Sequence, residues 1–128
     1  MLSRLRARGP KVGSLLVLRL SIAAVLGVQA LLLLVHIAHA PEKVAAHVSI
    51  AALLPLASAE VAAAACFLVK RSMLFGGISL ILVLIAAAVV HALNGEAPPA
   101  SFIVYAAGII AVLAHRDLLV AEPSHATA

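Results

Sequence analysis

The sequence predicts an all-α protein: a four-helix transmembrane bundle running up-down-up-down, with both termini in the cytoplasm. Three observations predict it. Hydrophobic residues make up 65% of the chain and charged residues 11%, at a mean hydropathy of +1.20, against roughly half and about a quarter in a soluble domain. The apolar residues gather into four stretches, each near the ~20 residues that a helix rising 1.5 Å per residue needs to cross ~30 Å of hydrocarbon. Lysine and arginine are distributed unevenly between the two ends that such a topology creates.

The elements follow in order. Residues 1–13 form a basic N-terminal segment carrying Arg4, Arg6, Arg8 and Lys11, and the membrane domain covers 14–121. Its spans are expected at about 14–39, 44–69, 73–94 and 100–121, with a short tail over 122–128. Alanine and leucine dominate the spans, and the ten-residue alternating segments of a membrane strand are absent. The connectors Pro41-Glu42-Lys43, Lys70-Arg71-Ser72 and Asn94 to Pro99 are short, so neighbouring helices must run antiparallel. Of nine lysines and arginines, only Lys43 falls on the side of the first and third connectors; the other eight share the opposite side with both termini. Under the positive-inside rule that side is the cytoplasm, and the protein belongs in the cell's inner membrane as a multi-pass chain.

Composition excludes several classes. A chain of 128 residues and 13.0 kDa holds one domain. Its pI of about 10.0 reflects membrane topology, not a nucleic-acid partner. One cysteine, Cys66, allows neither an internal disulfide nor a thiolate metal site. Ala38-His39-Ala40 fits the A-x-A pattern of a signal peptidase site. The preceding apolar run exceeds a signal h-region, however, and Pro41 follows directly, so the first span is expected to be retained. No Walker loop, nucleophile elbow, HExxH or CxxC is present, and no catalytic activity of its own is expected.

Histidine is the strongest functional signal. His36, His39, His47 and His91 belong to the outer ends of three spans, and helix rise puts His36, His47 and His91 at one depth, ~6 Å below the edge. One reading has two of these imidazoles ligate a b-type haem, or Gln29 and the histidines line a quinone pocket. Another has His36, His39, His47 and His91, with Glu42 or Glu96, hold zinc or copper. The plainest has amphipathic rings marking the headgroup boundary of a chain that lacks tryptophan.

The second signal is Glu60, in mid-span, where an ionised side chain costs ~2.5–3.5 kcal/mol to insert. Arg19 on the first span reaches a similar depth, so an Arg19–Glu60 intramembrane ion pair is expected. His47 and Glu60 lie ~140° apart around the second helix and are expected to form separate sites. Together these features predict an accessory or anchor subunit of a larger membrane complex, of respiratory or redox type, partnered by other membrane subunits or by its own copies. The alternatives are a proton-coupled transporter using Glu60 and a stand-alone metal-binding or pH-sensing protein.

Overall fold

The computed structural model describes residues 9–42 and 49–120, and every regular element among them is helical. Helix α1 spans Gly9–His39, α2 Ile50–Leu68, α3 Met73–Leu93, α4 Ser101–Ala114 and α5 Arg116–Val120. A 3₁₀ turn over Lys70–Ser72 joins α2 to α3. Three segments are long and apolar enough to cross a membrane: Val12–His39, Ile50–Leu68 and Lys70–Leu93. The first helix starts earlier than its apolar run, because Pro10 stands in the first turn, where its missing N–H is not needed.

The fourth apolar stretch departs from the expected single span over 100–121. Its helix breaks at His115, whose φ of −107° and ψ of 17° leave the helical region. The backbone N–H of His115 bonds to the Ala111 carbonyl at 3.3 Å, and its ring Nδ1 lies 2.9 Å from the same oxygen. Three polar residues in a row, His115-Arg116-Asp117, thus interrupt the run, and α4 alone rises only ~21 Å.

Helix α1 packs against α2 and α4, and α3 packs against the same two. Contacts fix the registers. Arg19 meets Leu68 and Gly27 faces Ala64, so positions rise along α1 as they fall along α2. Gly76 lies on Phe67, Gly77 lies on Leu113, and His91 meets Phe102. The shared core contains Ile22, Leu26, Phe67, Leu80, Ile109 and Val112, each buried. Core residues recur on α1 at 22, 23, 26 and 30 and on α3 at 73, 76, 77, 80, 83 and 84, the spacing of one helical face.

The tightest approach is at Gly76. A methyl group there would fall 2.6 Å from the Cys66 carbonyl carbon and 2.7 Å from the Phe67 Cα. Both are backbone atoms, which cannot yield as a side-chain tip can, and small residues serve this purpose between membrane helices. Gly13 has nothing within 4 Å of the same position. Thermal unfolding in mild detergent should therefore separate the two glycines. Gly76→Ala should cost ~2 kcal/mol or more through forced separation of α2 and α3. Gly13→Ala should be neutral or stabilising by up to ~1 kcal/mol through helix propensity.

Candidate functional site

The charged residues of the spans are best taken from the helices upward. Helix α2 buries Ala57, Ala63, Ala64 and Phe67. At 100° per residue Glu60 falls within ~10° of the centre of that arc. The one acidic side chain of the helix therefore sits on its core-facing stripe, half-buried. Arg19 has the same relation to α1: it continues the stripe of Ile22, Ala23 and Leu26 and is 3% exposed.

The expected Arg19–Glu60 pair is not formed. Arg19 Nη2 donates to the carbonyl oxygen of Leu68, the last residue of α2. Leu68 is eight residues from Glu60, ~12 Å along the axis. The physical reason lies at the helix end. The last carbonyls of a helix lack intrahelical donors and carry the negative pole of the macrodipole, so they attract a cation. Counting depth along the sequence missed this, because it weighed only side-chain partners for the guanidinium. Nε and Nη1 of Arg19 are buried and find no partner among the described residues. No hydrogen bond or ion pair to Glu60 occurs among those residues either.

The histidines do not share one environment. His36 and His39 are exposed, and His39 Nδ1 lies 2.9 Å from the Val35 carbonyl of its own helix. Gln29 is exposed too. Gln29 and His36 extend, at seven-residue steps, the stripe that begins with Ile22. Ile22 is buried where it faces Gly108 of α4. From that contact α4 runs outward only seven residues to Ser101, while α1 continues seventeen to His39. The fourth helix therefore ends level with Gln29 and leaves the outer part of the stripe uncovered. His47 lies outside the described residues. Among those described, no three His, Cys, Asp or Glu side chains come together as a metal site.

His91 is placed by its backbone. The Gly95 N–H bonds to the Ala92 carbonyl at 3.1 Å and the Glu96 N–H to the His91 carbonyl at 2.9 Å, with Gly95 at φ +74°. This is a Schellman end, in which the left-handed residue is best glycine and the flanking side chains are brought together. Here those side chains are His91 and Glu96, with Nδ1 3.1 Å from Oε2. The imidazole also meets the Phe102 ring edge-on at 5.8 Å. Below the pair, α3 and α4 leave an apolar groove of about 240 Å³ lined by Leu84, Ala88, Pro99, Phe102 and Ala106 among others. Asn-Gly after an apolar run is a helix-end signal. That signal, applied to His91 and Glu96, would have found the pair from the sequence.

Comparison with protein-family models, with curated proteins and with solved structures finds no match. The double-mutant cycle of Arg19→Met with Glu60→Gln tests the separate placement of the two charges. Unfolding free energies in detergent should be additive within ~0.5 kcal/mol, as for sites that share no partner. Arg19→Met alone should cost ~1–3 kcal/mol, the penalty for a part-buried carbonyl left without its donor.

Proposed function

We propose that this protein is a four-span subunit of an assembly in the inner membrane, with both termini in the cytoplasm, whose work is to pack against partner helices. The observation that carries the reading is Gln29. It lies ten residues inward from His39, ~15 Å below the outer end of α1 and so near mid-membrane. It is exposed on the surface of its own chain. A primary amide facing hydrocarbon leaves two donors and a carbonyl unsatisfied, at a cost of several kcal/mol on transfer scales. Interhelical hydrogen bonds from such side chains join membrane helices. His36, one heptad further out, continues the same uncovered stripe.

The orientation is supported by where cations collect. Arg19 sits on the end of α2, Lys70 and Arg71 follow directly, and Arg116 lies three residues beyond Leu113, which rests on Gly77. All belong to one end of the helices, while His91 and Glu96 belong to the other. In this topology Ser101–Val120 makes the fourth crossing in two pieces, α4 and α5, with Leu119 of α5 buried in the core.

Two experiments test the proposal. Gln29→Leu should leave the isolated fold unchanged, because the residue is exposed. It should weaken the native assembly by ~0.6–2 kcal/mol, about 3- to 30-fold in dissociation, read as a shift from complex to monomer in native electrophoresis of solubilised membranes. Unaltered migration of the variant, or a wild-type chain that migrates as a monomer, overturns it. Impermeant labels on cysteines placed in each tail of a Cys66→Ala chain should react only after the cytoplasmic face is opened.

A further inference from the structure

We infer that Glu60 is a proton-exchange site on the core-facing stripe of α2: its carboxyl group binds and releases a proton at mid-membrane, at the level of Tyr105. The inference goes beyond the packing role and rests on different residues. Its first support is elimination. Among the described residues the one buried arginine, Arg19, places its guanidinium on the Leu68 carbonyl, so the counter-charge that would make Glu60 a structural half of an ion pair lies at the other end of that stretch of α2. An intramembrane acid without a cation is neutralised by a proton or carries charge at high cost.

The second support is placement. Gly76 lies against Phe67 and Gly77 against Leu113, which sets a common level for α2, α3 and α4. Glu60 is seven residues outward from Phe67 and Tyr105 eight residues outward from Leu113, so both stand ~11 Å above that level. Tyr105 lies on the stripe of Ile109 and Val112, the buried residues of α4. The two polar groups thus occupy one level on the inward stripes of two helices that each pack on α1 and α3. Both side chains are half-buried, and no hydrogen bond joins them.

The third support is what surrounds them. On α1 the buried residue nearest that level is Ala30, three beyond the Gly27–Ala64 contact where Glu60 is four beyond Ala64, and on α3 it is buried Val83. Helix α3 carries no titratable side chain between Met73 and Val90. His91 lies eight residues further out and is engaged with Glu96. On α1, Arg19 lies toward the other end and His36 is exposed outward. Among the described residues, Tyr105 is therefore the one titratable group at the level of Glu60, and it stands on α4, across the bundle from α2. The ligand is the proton itself: the carboxylate takes up H⁺ to give the neutral acid, and returns it without any bond to carbon changing.

The test uses the full-length protein in lipid vesicles and dicyclohexylcarbodiimide, which adds only to a protonated carboxyl and favours apolar surroundings. Mass spectrometry should find the adduct at Glu60 and not at Glu42, Glu96 or Asp117. Its yield should fall at least tenfold from acidic to alkaline buffer, disappear in Glu60→Gln and persist in Glu60→Asp. Tyr105→Phe should move the midpoint of that titration while leaving the chain folded. Infrared difference spectra of the wild type should show a protonated carbonyl band that is lost on alkalinisation and is absent from Glu60→Gln. A Glu60 that never labels overturns the inference, and so does labelling that is independent of pH. Protection by sodium or potassium at fixed pH overturns it as well, by making a metal cation the ligand.

Discussion

The way the last carbonyls of α2 are satisfied governs where the other helices lie. A helix leaves its final C=O groups without intrahelical donors, and each must find a donor outside the helix. At this end the chain supplies donors itself. Val69 N–H and Ser72 Oγ both reach the Cys66 carbonyl, at 3.2 and 2.8 Å, and Arg19 of α1 reaches Leu68. The first two fold the backbone sharply into α3, bringing Gly76 onto Phe67. The third draws α1 against the same end. One local requirement of hydrogen bonding thus joins three helices.

The two ends of the structure differ as a result. Toward the cationic end, Phe67, Met73, Leu80, Ile109 and Val112 are nearly or fully buried. Toward the other, α3 closes with a Schellman turn, and a proline-containing connector leads into α4. That helix starts too late to cover the full height of α1. Tight packing at one end, and an uncovered stripe with a groove at the other, come from the same inequality of helix lengths. The open end is therefore a consequence of the fold, and Gln29 and His36 lie exposed on it.

Much of this was legible in the sequence, and what was not has identifiable causes. Apolar run length located the three helices that are long enough to cross a membrane; the expected start of the second, at about 44, lies outside the described residues, and its described helix begins at Ile50. The same argument did not show that the fourth run folds as two helices, α4 and α5, since hydropathy averages over His115-Arg116-Asp117 while a helix must satisfy each residue's backbone in turn. Depth counting brought Arg19 near Glu60 because it treats helices as rulers with side chains at marks. It is blind to backbone acceptors at a helix end, and one of those took the guanidinium. His91 and Glu96 were both singled out, but as members of a larger ligand set. Their actual relation is a local one, set by Asn94-Gly95.

The contrasting fates of the two core-facing charges follow from the asymmetry of the peptide group itself. A cation inside a membrane can be accommodated at any helix C-terminus, where carbonyl oxygens stand free and the dipole is favourable. Arg19 reaches such a site, and no acidic side chain is required. An anion could be treated in the same way only at a helix N-terminus, where N–H groups stand free. Glu60 lies in the third turn of α2, where every neighbouring N–H is spent within the helix. Backbone cannot neutralise it there. Side chains from α1 and α3 at its level are aliphatic, which leaves a phenol and a mobile proton as the available chemistry. A carboxyl group placed on the core stripe of a helix, more than two turns from either cap, is for that reason a stronger sign of proton handling than a carboxyl group of equal depth near a terminus.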